Sequence, residues 1–255
     1  MAQSQFDLSE ELIELMRGVQ AITVLTGAGA SAESGIPTFR DAQSGLWSRY
    51  RPEELASPTA FRNNPRLVWE WYAWRRSLVI SARPNPGHLA LAWMERHVPR
   101  FTLITQNIDG LHQAAGSRNV IELHGNIHRA RCITEDKIIP NWDQNSSMPP
   151  HCPDCGGLLR PDVVWFGEPL PAGALANAVQ ASRECDIFIS IGTSGLVEPA
   201  ATLGFEALRA GAVAVEINPE PTPLTVYTRH YLDQPFGLIL PALKQAVWPD
   251  LHLEG

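Results

Sequence analysis

The sequence has no apolar run approaching the roughly 18 residues that a membrane-crossing helix requires, so no transmembrane span is expected. Met1 to Gly18 also lacks the basic segment followed by an apolar one that marks a secretory leader. That stretch reads Asp7-Leu-Ser-Glu-Glu-Leu-Ile-Glu-Leu-Met16 instead, an amphipathic helix that Asp7 or Ser9 can cap. Four cysteines in 255 residues are too few for a disulfide-stapled scaffold. A basic surplus is missing as well. The net charge of −7 and pI near 5.6 argue against a nucleic-acid platform, although an acidic chain can still receive a basic peptide. Neither internal repeats nor low-complexity tracts are present. A compact, soluble, cytoplasmic monomer of bacterial type is the expectation.

What is present fits one α/β domain carrying a small insertion. The 44% hydrophobic content can build a buried core, and 18% charged residues does not suggest disorder. Ala21–Thr26, Phe101–Thr105, Asp186–Ile191 and Ala212–Ile217 are near-continuously apolar, the pattern of strands buried on both faces of a parallel sheet. Val120–Leu123 and Asp162–Phe166 read as further strands. The fold class is α/β, a doubly wound, Rossmann-like parallel sheet. Two stretches break the rhythm: a Trp-rich helical one from Ser44 to about Arg83, and a polar, cysteine-bearing one from Ile127 to Arg160. Residues 1–43, 84–126 and 161–255 are assigned to the nucleotide-binding domain. Residues 44–83 and 127–160 are assigned to a smaller domain over the carboxyl edge of the sheet.

After the first strand comes Gly27-Ala28-Gly29-Ala-Ser31-Ala32, matching G-x-G-x-x-A. Glycines allow close approach to a pyrophosphate, and the next helix N-terminus favours its charge. A tight strand-to-helix turn without ligand would look the same. A dehydrogenase would then supply a second strand ending in an acid about 20 residues on. This chain continues Glu33-Ser-Gly-Ile-Pro-Thr-Phe39-Arg40-Asp41, a proline-containing loop, before the Trp-rich insertion.

In these blocks the chain resembles the sirtuins. Gly27–Ser31 with Gly35-Ile-Pro-Thr-Phe-Arg40 is one; Thr105-Gln106-Asn107-Ile-Asp109-Gly-Leu-His112 and Glu122-Leu-His124-Gly125 follow. Val164-Trp165-Phe166-Gly167-Glu168, Gly192-Thr193-Ser194 and Glu216-Ile-Asn218 complete the family's order over residues 21 to about 220. The resemblance implies an NAD-dependent protein-lysine deacylase that releases nicotinamide and O-acyl-ADP-ribose. It implies His124 as general base, a role suited to an imidazole that titrates at about pH 6.5. Phe39 would shield the reacting ribose, and Asp109 with the Ile108 backbone would anchor the nicotinamide amide. Asn107, Gln106 and Ser31 would serve ribose hydroxyls or a water, and Arg40 the phosphate. Val164–Gly167 would present backbone and an apolar channel to an extended peptide; for Trp165 and Phe166, ordinary core is the alternative. His112 reads as loop support. His88, His97, His230 and His252 read as surface or packing residues.

In Arg66-Leu-Val-Trp-Glu-Trp-Tyr-Ala-Trp-Arg-Arg76, Tyr72 and Arg75 stand at i and i+3 on one helix face. Together they can bind a terminal carboxylate. A packed aromatic stripe beside a solvated charge is the other reading. Sirtuins that prefer succinyl and malonyl lysine carry this pair, and a small upstream residue that Ala56 matches.

Family members with structural zinc use two Cys-x-x-Cys pairs. The second is intact here as Cys152-Pro-Asp-Cys155, but the first reads Cys132-Ile-Thr-Glu135. A structural, zinc-ribbon-like site of three thiolates is expected, with Glu135 as fourth ligand and Asp136, His128 or His151 as substitutes. Cys185 reads as a core thiol. Acylated lysines of proteins are the expected partners, with no nucleic acid or membrane. ADP-ribosyl transfer, NAD hydrolysis and a non-catalytic NAD-sensing module remain as alternatives.

Overall fold

All six residues of the strand Ala21–Thr26 are buried, which places it in the middle of a sheet covered on both faces. The computed structural model describes residues 8–38, 49–142 and 148–249. In chain order its strands are β1 (Ala21–Thr26), β2 (Arg100–Thr105), β3 (Val120–Glu122), β4 (Gly125–Cys132), β5 (Ile138–Ile139), β6 (Leu159–Val163), β7 (Ile187–Ile191), β8 (Val213–Ile217) and β9 (His230–Leu232). The α-helices are α1 (Glu10–Arg17), α2 (Gly29–Ala32), α3 (Pro52–Leu55), α4 (Pro58–Asn63), α5 (Pro65–Ser81), α6 (Pro86–His97), α7 (Leu111–Ala114), α8 (Ala172–Glu184), α9 (Leu203–Arg209) and α10 (Phe236–Val247). Among the described residues no helix is long and apolar enough to cross a membrane.

The main sheet is parallel, in the order β3-β2-β1-β7-β8-β9. This is the doubly wound order expected from the sequence. The direction of winding reverses between β1 and β7, which opens a crevice at their carboxyl ends. Pleating sends Val24 to one face, where it joins Leu12 and Met16 of α1, Leu91 and Met94 of α6, and Leu240 and Leu243 of α10. Leu25 points the other way, onto Ala178 of α8 and Leu203 and Ala207 of α9. The first helix starts where the sequence indicated: the Ser9 hydroxyl accepts from the Leu12 amide at 3.2 Å, and Glu10 and Glu11 fill the first turn.

A second sheet, antiparallel and ordered β5-β4-β6, shares a core with α3, α4 and α5. Asn64 caps α5 and Pro65 opens it, and the helix buries Trp69, Trp71 and Tyr72 against Ile127, Leu159 and Val163. Burial of each indole is worth on the order of 5 kcal/mol as an upper bound, at about 25 cal/mol per Å² over roughly 200 Å².

One strand differs from expectation. The run read as a strand at Asp162–Phe166 is strand only to Val163; β6 spans Leu159–Val163 and belongs to the small antiparallel sheet. It lies on that sheet's edge, where Pro161 needs no ladder donor. Beyond it, the Glu168 carboxylate takes the Trp165 amide at 2.8 Å, and the chain turns instead of continuing the ladder.

Candidate active site

Two loops close over the crevice. The Gly27 amide donates to the Ile191 carbonyl at 2.9 Å and the Gly29 amide to the Gly192 carbonyl at 2.8 Å. A Cβ on Gly29 would sit 2.8 Å from Gly192 Cα. One on Gly192, whose φ is +57°, would sit 2.4 Å from the Ala30 nitrogen. The sequence reading assigned these glycines to approach by a pyrophosphate; direct backbone contact between the loops already requires them. Helix α2 is a single turn of four residues. Half-buried Ala28, Thr193 and Ser194 belong to the same two loops.

A buried polar cluster lies behind this mouth. The Ser31 hydroxyl donates to Asp109 Oδ2 at 2.8 Å. Asn107 Nδ2 reaches the Gly27 carbonyl at 2.9 Å and the Ser31 oxygen at 3.1 Å. Asp109 Oδ1 accepts from the Leu111 amide at 2.9 Å. Burial pushes the Asp109 carboxyl above its ordinary range, against the opposing pull of the Leu111 and Ser31 bonds and the nearby His128 and Arg75 charges. Gln106 Nε2 donates to Thr193 Oγ1 at 2.9 Å, and Asn218 Nδ2 to the Thr193 carbonyl at 3.1 Å. The predicted residues Ser31, Gln106, Asn107, Asp109, Thr193 and Asn218 are thus joined across β1, β2, β7 and β8.

His124 follows β3. Its Nδ1 is 2.8 Å from the Gln106 carbonyl, which can only accept, so the ring is protonated at Nδ1 and Nε2 carries the lone pair. Burial lowers its pKa below the ordinary histidine value, although the Gln106 bond works in the opposite sense. The next residue must be glycine: at Gly125 φ is +80°, and a Cβ there would meet the Asp162 carbonyl oxygen at 2.2 Å.

The segment after β6 is stitched to three elements. The Val164 amide donates to the His124 carbonyl at 3.0 Å, and the Phe166 amide to the Ala56 carbonyl at 2.9 Å. Trp165 Nε1 donates to the Tyr72 hydroxyl at 3.1 Å. Trp165 and Phe166, read together as channel or core, separate: Trp165 is 3% exposed and Phe166 46%. Gly167, with φ +86°, continues the exposed rim. Tyr72 is buried, its phenol pKa raised chiefly by desolvation. Arg75 sits 5.3 Å over the Trp71 ring. Desolvation lowers its pKa, opposed by attraction to Tyr72 and Asp109.

Phe39 and Arg40 lie outside the described residues, as does His252. His112 supports its loop, with Nε2 2.9 Å from the Thr26 hydroxyl, and its ring packs at a tilt against fully buried His88, centroids 4.7 Å apart. Of the other histidines, His97 is exposed and His230 half-buried. Cys185 is a buried thiol raised to about 11, chiefly by desolvation.

The ligand atoms of Cys132, Glu135, Cys152 and Cys155 all lie within 4.8 Å of one another. Three soft thiols and one carboxylate, converging from two turns, fit a tetrahedral zinc site. The Glu135 carboxylate faces the thiols where a family member would place a fourth cysteine. Asp136 instead pairs with Arg131 at 2.8 Å, and His128 Nε2 donates to the Asp109 carbonyl at 2.9 Å, so neither joins the cluster.

A crevice at the winding reversal and a committed imidazole beside a buried Asn–Asp pair define a nucleotide-handling enzyme class. The Sir2 family model matches residues 27–199, and the chain belongs to that family. It is 57% identical over 205 residues to an NAD-dependent protein deacylase of Aquifex aeolicus, covering 80% of this chain and 85% of that one. It is 47% identical over 247 residues to NAD-dependent protein deacylase 1 of Pseudomonas aeruginosa, covering 93% and 98%. Among solved structures, a Sir2 homolog–NAD complex superposes with a TM-score of 0.90 at 44% identity, covering 97% of this chain and 96% of that one. A Sir2 bound to acetylated peptide superposes at 0.81 with 32% identity, covering 91% and 94%.

Sequence reasoning missed the residues that hold the site from behind. Thr105 Oγ1 accepts from both the Thr26 hydroxyl, at 2.8 Å, and the Asn107 amide, at 3.0 Å. Arg160 pairs with Glu168 through both carboxylate oxygens, at 2.6 and 2.8 Å, and lies 3.4 Å over the Trp165 ring. Thr105 and Glu168 carried a signal, as the first residue of the Thr105–His112 block and the last of the Val164–Glu168 block; Thr26 and Arg160 carried none.

Proposed function

We propose that this chain removes acyl groups from protein lysines with NAD as co-substrate, releasing nicotinamide and O-acyl-ADP-ribose, and that it favours acyl groups ending in a carboxylate. The observation that carries the deacylase reading is the His124 imidazole: its Nδ1–H is committed to the Gln106 carbonyl, which leaves Nε2 basic beside the Asn107–Asp109 loop. When bound, NAD supplies an anomeric carbon with nicotinamide as leaving group, to which the acyl oxygen of the modified lysine can add. Its pyrophosphate is taken by the Gly27–Ser31 and Gly192–Ser194 loops, which follow β1 and β7 at the crevice where the winding reverses.

The protein's part is to bind, orient and move one proton. Asp109, held by Ser31 and the Leu111 amide, presents a carboxyl to the nicotinamide amide. Asn107 and Gln106 offer side-chain amides to ribose hydroxyls or a positioned water, while Gly192–Ser194 and Asn218 wall the adenosine end. His124 Nε2 takes the proton of a ribose hydroxyl, and burial keeps the ring neutral for that task. Val164–Gly167 receive the peptide backbone and Ala56 leaves room for a longer acyl chain. Tyr72 and Arg75 take its carboxylate, with the guanidinium acting in a partly desolvated setting. Zinc at Cys132, Cys152, Cys155 and Glu135 would be structural: it would tie the far end of β4, whose near end follows His124, to the turn before β6.

The test is mass spectrometry of one lysine peptide carrying acetyl or succinyl, with and without NAD. NAD-dependent loss of either acyl group, with O-acyl-ADP-ribose formed, is the expected result, and succinyl should be lost faster. Rapid nicotinamide release without any peptide would favour NAD hydrolysis instead. Equal rates on the two acyl forms, or no loss of succinyl rate in Arg75→Met, would remove the acidic-acyl preference.

A further inference from the structure

The indole of Trp165 is buried, yet its N–H does not point into backbone or solvent. It donates to the hydroxyl oxygen of Tyr72, 93 residues away, at 3.1 Å. An indole nitrogen can only donate, whereas a phenol has one proton and acceptor lone pairs. The phenol proton prefers the plane of its ring and has one of two sides to choose. An N–H arriving on one side leaves the proton to the other.

The position of that indole is itself fixed. Its plane is covered by the Arg160 guanidinium at 3.4 Å, and it packs at a tilt against Phe61, with ring centroids 5.2 Å apart. Glu168 grips Arg160 with both oxygens and accepts the Trp165 amide at 2.8 Å, while Arg160 also donates to the Val163 carbonyl at 2.8 Å. A cation–carboxylate pair therefore clamps the Trp165 ring and backbone together. Trp71 stands edge-on to Tyr72 at 4.7 Å and carries Arg75 over its face.

We propose that Trp165 is a specificity-determining positioning residue. Held by the Arg160–Glu168 pair, its N–H occupies one side of the Tyr72 oxygen and turns the phenol proton toward the acyl pocket. Tyr72 is thereby a preset donor for an acyl carboxylate rather than a hydroxyl free to choose between donating and accepting. Burial holds the phenol protonated, so that a proton is available to give. An acetyl group has no carboxylate to receive this bond, so the arrangement discriminates between acyl groups instead of speeding all of them. The proposal rests on Tyr72 and Arg75 receiving an acidic acyl group.

The experiment compares kcat/KM on succinyl-lysine and acetyl-lysine forms of one peptide, and reads their ratio. In Trp165→Phe the succinyl-to-acetyl ratio should fall about tenfold, the size of one well-placed hydrogen bond to a charged group. In the Tyr72→Phe background the same substitution should not change the ratio further, because the bond it serves is already gone. Benzothienylalanine at position 165 keeps the indole shape without the N–H and should reproduce the fall, which separates the bond from packing if Trp165→Phe folds poorly. A ratio unchanged in either 165 variant overturns the proposal, as does a full loss that persists without the Tyr72 hydroxyl. If Tyr72→Phe and Arg75→Met both leave the ratio at its starting value, the acidic-acyl reading falls and this proposal with it. If those two lower the ratio and the 165 variants do not, only this proposal falls.

Discussion

Nδ1 of His124 lies 2.8 Å from the carbonyl oxygen of Gln106. That contact fixes which nitrogen is basic, and it ties the imidazole to the residue preceding Asn107. Because burial lowers the ring's pKa, the neutral, basic form extends below the ordinary histidine value of about 6.5. The acid limb of the kcat/KM profile should therefore lie below about pH 6.5, with activity lost as the ring protonates. His124→Ala should cost about 10²–10⁴-fold in acyl transfer. Nicotinamide exchange into NAD in the presence of acyl peptide should survive, since the base acts after nicotinamide has left. An acid limb above pH 7, or equal loss of exchange and transfer, would remove His124 from the role of base.

Gly192 offers a sharper probe of the crevice than Gly27 or Gly29. Its φ of +57° and a Cβ-to-Ala30 nitrogen distance of 2.4 Å combine a backbone penalty with a clash that no rotamer relieves. Gly192→Ala should destabilise the fold by about 1–3 kcal/mol and weaken NAD binding at least tenfold, as measured by urea unfolding and calorimetry. Gly173→Ala, in the first turn of α8 where nothing lies within 4 Å, serves as the control and should be neutral or slightly stabilising.

The contrast shows what the sequence makes legible. β1 is legible to its bounds because Ala21–Thr26, four apolar residues and two threonines, is too short for a helix and ends at a glycine turn. The glycine loop was legible, but its closest contact was not, because Gly192 is remote in sequence from Gly29. The Ser31–Asp109 bond joins residues 78 apart, and only the family order of the motifs brought them into one site. At Asp162–Phe166 local apolarity misled: Pro161 and the capture of the Trp165 amide by Glu168 decide where the strand stops, and neither is a periodic signal. Alternation did not forecast that Trp165 would be buried and Phe166 exposed, because the turn and not the pleat orients them.

Glu135 should make the metal site real but weaker than one of four thiolates. The as-purified protein should carry about one zinc per chain, and chelation should lower the melting temperature by loosening the turns at Cys132 and Cys152–Cys155. Glu135→Cys should slow zinc loss to a chromogenic chelator, and Glu135→Ala should hasten it, both read from the metal rather than from activity. Zinc release at the same rate in all three proteins would show that Glu135 does not ligate.

The paired buried histidines His88 and His112 predict how the fold meets acid. Burial holds His88 at about 4, and burial together with the His88 charge holds His112 at about 3, whereas either would titrate near 6.5 in the unfolded chain. Between those values the unfolded chain binds protons that the native one refuses. Stability therefore rises with pH across this window; it is fully present above about 6.5 and drains away as pH falls toward 4. His88 alone accounts for on the order of 3 kcal/mol over the window, at about 1.4 kcal/mol per pKa unit. Asp109 works in the opposite sense, because its carboxyl is raised in the fold: its contribution is present at low pH and is lost as pH rises through that raised value. The histidines act as a pair with fixed partners, since the Asn85 amide donates to His88 Nδ1 at 3.3 Å and His112 Nε2 meets Thr26 Oγ1. Urea unfolding from pH 7.5 to 4.5 should show a steady loss of ΔG, and His88→Gln should flatten it even though that variant is less stable at neutral pH. A wild-type ΔG that stays level across this range would mean that both rings accept protons in the native state.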